Sequence, residues 1–167
     1  MAAAIVLSVL LGIIPMAIYA FGLTWFDRYE KEPPLLMLGV FAWGLIVAAG
    51  SALIFNTVFQ IGLFLATNSE GVASLGTAVF FAPFLEETVK GLAVLGVFIY
   101  FYREFDSILD GIIYGSLVGF GFAAAENVNY IFSGFAEGGF EGLLFTAFVR
   151  VIAIAFLHAT LTAFTGI

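Results

Sequence analysis

The chain has 167 residues, of which 63% are apolar and 10% charged, with a formal net charge of −7. Soluble domains carry about 25% charged residues, so this composition leaves too few polar side chains to cover a water-facing surface and excludes a soluble globular domain. It predicts an all-α polytopic membrane protein, one domain of packed spans. A membrane barrel is excluded too, because the apolar runs are continuous and far exceed the ~10 alternating residues of a barrel strand.

The chain contains no cysteine and a single histidine. That removes disulfides, thiolate metal sites, Cys nucleophiles and any site needing two histidines. The negative charge marks no soluble partner, since several carboxylates fall inside the apolar runs, and no nucleic-acid partner is expected. The lipid bilayer is the first partner.

Residues 4–23 predict helix 1, ending at the interfacial pair Trp25-Phe26. The run lacks a basic leader and is long enough to span, so it reads as an uncleaved helix and not as a signal peptide. Residues 27–34 form the first loop, whose two prolines can open the next helix. Helix 2, over 35–66, is longer than one perpendicular crossing requires, so it tilts, breaks or ends early. Its Asn56 and Gln60 share a face and read as interhelical hydrogen-bond glue.

A second short loop covers 67–71. The run 72–102 would be ~46 Å long as a single helix at 1.5 Å per residue, beyond a ~30 Å hydrocarbon core. Pro83 is the expected break. It divides the run into a short re-entrant or interfacial piece, 72–81, and a full span, 83–102, whose first turn carries Glu86 and Glu87 near the positive end of the helix dipole.

After a third loop at 103–107, helix 4 runs over 109–132. Gly111, Gly115, Gly119 and Ala123 recur every fourth residue and form a ridge for close helix packing, which brings Glu126 against a neighbour. The glycine-rich stretch 133–142 reads as the fourth loop. Helix 5 covers 143–167, with Arg150 read as an interfacial, snorkelling charge near its start. The chain stops there without a polar flank, which predicts truncation within or just after this helix. Outside the spans, Lys and Arg occur only in loops 1 and 3 (Arg28, Lys31, Arg103). The positive-inside rule then puts both loops in the cytoplasm and the N-terminus outside, in a multi-pass cell-membrane protein.

Ionisable side chains at membrane depth cost several kcal/mol and mark functional sites. Glu86 and Glu87 lie near the outer start of helix 3, and Glu126 lies near the outer end of helix 4. His158 lies about two turns into helix 5 if that helix begins near Arg150. All four fall at one depth and predict a shared cavity in the outer leaflet. Lys90 is i+4 from Glu86 and i+3 from Glu87, so it can pair with either. One lysine cannot balance three carboxylates, so one acid remains free to act as a general base on water. A self-neutralising ion pair is the structural alternative, and it leaves Glu126 and His158 unused. An ion or proton relay in a transporter would also use intramembrane acids, but the two halves of the chain show no inverted repeat. A non-catalytic scaffold that only binds membrane helices is the third reading.

Several of these residues form an ordered pattern. Ala82-Pro83-Phe84 precedes Glu86-Glu87-x-x-Lys90. Phe122-x-x-x-Glu126-Asn127 follows, and His158 precedes Thr162 by four residues. With Tyr29-Glu30-Lys31-Glu32-Pro33 in the first loop, this pattern resembles the PrsW family of intramembrane proteases, relatives of the CAAX-prenyl type II enzymes in the wider glutamate-protease group. Those relatives carry His where Glu126 stands and Asn where Thr162 stands, which points to the PrsW branch and away from prenylated substrates.

The resemblance implies cleavage of a single-pass membrane protein of the anti-sigma-factor kind on its extracytoplasmic side. It implies Glu86, Glu87, Glu126 and His158 as catalytic residues, with Lys90, Asn127, Phe122 and Thr162 in support. In the favoured, metal-free scheme Glu86 is the base, and Glu87 and Lys90 orient or tune it. Glu126 and His158 then position water, protonate the leaving amine or stabilise the oxyanion. In the rival scheme Glu86, Glu126 and His158 hold Zn²⁺, a ligand set short of the nitrogen and sulfur donors zinc prefers.

Overall fold

The computed structural model describes residues 1–26 and 31–167. Asp27, Arg28, Tyr29 and Glu30 of the first loop lie outside the described residues, so the family-like loop is described only from Lys31 onward. All regular structure among the described residues is helical. The elements are α1 (Ala2–Phe26), α2 (Pro34–Ala42), α3 (Ala49–Thr67), α4 (Glu70–Gly76), α5 (Ala82–Tyr100), α6 (Ile108–Phe148) and α7 (Ala155–Thr165). Wider π-helical turns at Trp43–Ala48, Thr77–Phe81 and Val149–Ile154 join α2 to α3, α4 to α5 and α6 to α7.

Three apolar helical stretches are long enough to cross a membrane: Ala2–Trp25, Pro34–Thr67 and Ile108–Thr165, the last of them folded into a hairpin. The second is a single 34-residue rod, so helix 2 neither breaks nor ends early. Asn68, in the left-handed conformation at φ 51°, stops it, and the Ser69 hydroxyl accepts from the Val72 N–H to start α4.

Pro83 does not break the chain. Its ring lacks an N–H and collides with the carbonyl four residues back, that of Val79. The helix meets this demand by widening over Thr77–Phe81 and continues as α5 with helical dihedrals on both sides. The short piece before Pro83 is therefore continuous with α5 through this turn, and Glu86 stands 16 residues below the α3–α4 turn, within the span and not near its outer start.

The other correction concerns the fourth loop. α6 starts at a capping box, in which Ser107 and Asp110 each satisfy the other's backbone N–H. It then runs past residue 132 and turns only at Gly138–Gly139, where Gly139 takes φ 62°. Glycine is the residue that reaches that conformation without strain. Composition marked 133–142 as a loop, but only these two glycines leave the helix. The chain returns as an antiparallel arm, so Arg150 sits within the arm and not at its start.

The glycine ridge governs this hairpin. A Cβ on Gly119 would lie 2.5 Å from the His158 carbonyl oxygen and 2.6 Å from the Ala159 Cα. One on Gly115 would strike Thr162, and one on Gly111 would strike Gly166. On the opposite side of α6, Gly121 lies against the Phe41 carbonyl, and Gly44 from the π-turn lies against that of Val118. α1 completes the enclosure through Gly12, placed against Val128, and Tyr19, whose ring is 6.0 Å from that of Phe120. The first half of α6 is consequently buried on all sides, with Ile113, Tyr114, Leu117, Val118, Phe120 and Phe122 in the core.

Candidate active site

α5 carries Glu86, Glu87 and Lys90 within one turn and a half, so helical spacing alone lets the ammonium reach both acids. Lys90 is fully buried. Its Nζ lies 2.7 Å from Glu87 Oε1, 3.9 Å from Glu86 Oε2 and 3.2 Å from His158 Nδ1. Beneath it the Phe122 ring sits 3.7 Å from Nζ and 5.2 Å from the His158 ring. The aromatic face is an apolar floor that tolerates a cation.

An ammonium donates hydrogen bonds and accepts none. His158 Nδ1 must therefore accept, which leaves the proton on Nε2, and Nε2 lies 2.9 Å from Glu126 Oε2. Both ring nitrogens are thus committed. Thr162, one helical turn further along α7 and fully buried, donates to Glu87 Oε2 at 3.1 Å. Glu87 then has one oxygen on Lys90 and the other on Thr162.

Glu126 and Asn127 are held from the other arm of the hairpin. Arg150 Nη2 lies 2.7 Å from Glu126 Oε2, and Nε donates to Asn127 Oδ1 at 3.0 Å. The guanidinium also lies 4.1 Å from the Tyr130 ring centroid. Arg150 is only 9% exposed, so the snorkelling expectation is corrected. The charge turns inward because a carboxylate of the facing helix stands at its own depth. Arg150 is also the second cation that the lysine-only charge balance lacked. Asn127 joins the site through it, leaving its own Nδ2 buried and unpartnered.

A cavity of about 650 Å³ opens in front of these groups, with Glu86, Glu87, Glu126, Arg150 and His158 in its wall. The fold therefore brings together all four residues expected to share one cavity, along with Lys90, Asn127, Phe122 and Thr162 behind them. Asn56 was read as packing glue. It does bridge α3 to α5, but onto the site itself, donating to Glu86 Oε1 at 3.4 Å. Arg150 and Asn56 are the two contributors that sequence reasoning left out. The signal for Arg150 was charge counting: three carboxylates and one lysine within apolar runs ask for a further cation.

The set Glu86, Glu126 and His158 does not form a metal cradle. Among the described residues no three His, Cys, Asp or Glu side chains gather as a metal-ligand group. His158 has no free lone pair, because Nδ1 accepts from Lys90, and Glu126 Oε2 is shared by Arg150 and His158. A buried ammonium in the middle of the set also opposes a dication.

Fold and site together define a polytopic helical membrane protein that walls an intramembrane cavity with acids and their counter-ions. Residues 32–167 match the family described as PrsW family intramembrane metalloprotease, and the chain belongs to that family. It is 32% identical over 140 residues to a protein named Protease PrsW from Geobacillus kaustophilus, covering 84% of this chain and 55% of that one. A Bacillus subtilis protein of the same name is 31% identical over 84% of this chain and 57% of its own length. One from Clostridioides difficile is 35% identical over 74% and 50%, respectively. The chain thus spans about half the length of these relatives. No solved structure matches it.

Proposed function

We propose that this chain forms the catalytic core of an intramembrane endopeptidase, with Glu86 as general base on water. The observation that carries the reading is the unequal commitment of the three carboxylates. Glu87 is bound through both oxygens, and Glu126 is ion-paired with the Arg150 guanidinium and held by His158, both on Oε2, which makes it a weaker base. Glu86, in the cavity wall, has only the longer contacts, 3.4 Å to Asn56 and 3.9 Å to Lys90. It keeps the acceptor capacity to take a proton from water.

The steps follow from that difference. Glu86 removes one proton from water while the oxygen attacks the peptide carbonyl carbon, and a tetrahedral oxyanion forms. Arg150, in the cavity wall, uses Nε and one Nη2 hydrogen on Asn127 and Glu126, and its remaining N–H groups are the donors left for the oxyanion. Collapse breaks the C–N bond as the proton on Glu86 passes to the leaving amine. Lys90, seated between Glu86, Glu87 and His158, holds the acids in register, and no step passes through a metal.

The proposed substrate is a single-pass membrane protein of the anti-sigma-factor kind, cut near its extracytoplasmic side. The relatives' shared name, Protease PrsW, supports the reaction class. Glu126 stands 18 residues, about 27 Å, from the loop 3 end of α6 and Glu86 stands 16 residues, about 24 Å, from the α3–α4 turn, so the acids sit in the middle of the membrane and the side of the cut rests on the family resemblance. The test is cleavage of a tagged single-pass substrate in co-expressing cells, wild type against Glu86→Gln, Glu126→Gln and His158→Ala, with and without chelator. Loss of cleavage in all three variants, with wild type indifferent to chelator, is the expected result. Chelator inhibition reversed by zinc replaces the metal-free scheme, and full cleavage by Glu86→Gln removes the base.

A further inference from the structure

A second cavity adjoins the one at the candidate site. A space of about 590 Å³ between α3 and α4 is lined by Thr57, Gln60, Glu70 and Ser74 among others. Gln60 and Ser74 also line the cavity that holds Glu86 and Glu126. The two spaces therefore adjoin along Gln60 and Ser74, between the α3–α4 turn and the carboxylates.

Their polar residues are out of place for a lipid-facing surface. Gln60 lies eight residues before Asn68, about 12 Å along the helix from that end, at a depth where an unpaired amide is costly. Among the described residues Gln60 has no hydrogen-bond partner. One turn deeper on the same face, Asn56 has a buried Oδ1 with no partner either. Two amides with unused hydrogen-bonding capacity, four residues apart and both in the wall of the cavity that holds Glu86, are suited to a ligand that carries donors and acceptors in series.

We propose that this groove holds an extended stretch of the substrate polypeptide, running outward from the scissile bond along α3 and α4. The proposal rests on the endopeptidase reading and adds where its substrate lies. A membrane helix must unwind before a peptide bond can reach Glu86, and the freed N–H and C=O groups then need partners within the bilayer. Asn56 and Gln60 supply them. From Glu70 to Glu86 the groove wall rises over 16 helical positions, about 24 Å, which an extended chain covers in about seven residues. Glu70 at the outer mouth favours a basic residue near that distance.

The test uses the full chain in membranes with Glu86→Gln, so that bound substrate is not cut. A photo-crosslinking amino acid is placed at Gln60, at Ser74 and, as a lipid-facing control, at Ile18. The expected result is crosslinking to a tagged single-pass substrate from positions 60 and 74 and not from 18. In the otherwise wild-type chain, Gln60→Leu raises KM by about fivefold, the loss of one hydrogen bond, with kcat preserved. Deleting four residues from the outer stretch of the substrate also abolishes capture at Ser74.

Crosslinks from 60 and 74 only to lipid overturn the groove. So does substrate capture from a probe at Leu157 with none at 60 or 74. In both cases wild-type cleavage, measured in parallel, shows whether the endopeptidase reading survives. Capture at 60 and 74 by a wild-type chain that never cleaves supports the groove and removes the enzyme.

Discussion

Glu126 and Arg150 lie 24 positions apart and meet at 2.7 Å across the hairpin. Neither is intelligible alone. Arg150 is flanked by apolar residues, and a single cation in such a run reads as an interface residue until the helix facing it is known. Removing one partner of a buried pair strands the other, a loss of about 3 kcal/mol or more. Arg150→Gln is therefore expected to lower the unfolding midpoint in detergent sharply, and adding Glu126→Gln to recover most of the loss. The double variant is expected to stay inactive, since it has neither the guanidinium nor the carboxylate. If the double variant is no more stable than Arg150→Gln, the pair is not the reason Arg150 is buried. The acids themselves stood out in the sequence as ionisable residues within apolar runs, but the counting that set them at one outer depth failed, because Pro83 does not start its helix and the last arm begins after Gly139 and not near Arg150. The hydrogen bonds that divide their roles were not legible either, because they depend on rotamers and on which oxygen each donor reaches.

The secondary-structure elements show the same division between what spacing reveals and what it conceals. Glycine at 111, 115 and 119 announced a close helix contact, and the contact formed, with the arm that bears His158. Pro83 was misread because a proline has two remedies, a break or a widened turn, and the apolar residues on both sides favour keeping every backbone group within a helix. Widened turns of this kind concentrate at functional sites. Here two of the three border the cavity, one through Thr77 and Ala78 and one through Arg150 and Ile154. The ridge yields a prediction with an internal control. Gly119→Ala sets a methyl group against the His158 carbonyl at 2.5 Å, so α7 must retreat and carry the imidazole from Lys90 and Glu126. A shift of about 1 Å costs on the order of 100-fold in rate. Gly96→Ala, in open space on α5, gains up to about 1 kcal/mol of helix propensity and leaves the rate alone. Cleavage rates and thermal midpoints of the two variants, measured side by side, separate a packing constraint from a general intolerance of alanine.

Taken whole, the molecule is built around α6, and its two ends differ in character. At one end Lys31 and Glu32 of the first loop lie with Arg103, Glu104, Asp106 and Asp110 around a charged crevice, and Tyr114 donates to Glu32. The described end of loop 1 and loop 3 thus share a face, where the positive-inside rule expects Lys31 and Arg103 together. The α3–α4 turn and the hairpin turn at Gly138–Gly139 lie a helix length away. Because the chain contains no cysteine, single cysteines introduced at exposed positions report their side without background. Leu35→Cys and Glu104→Cys are expected to resist a membrane-impermeant maleimide in intact cells and to label after permeabilisation. Thr67→Cys and Phe140→Cys label at once. Reversal of both pairs would turn the molecule over and contradict the cytoplasmic placement of loops 1 and 3. A mixed result, with Leu35 and Glu104 on opposite sides, would break the shared face itself and with it the packing of loops 1 and 3 against α6.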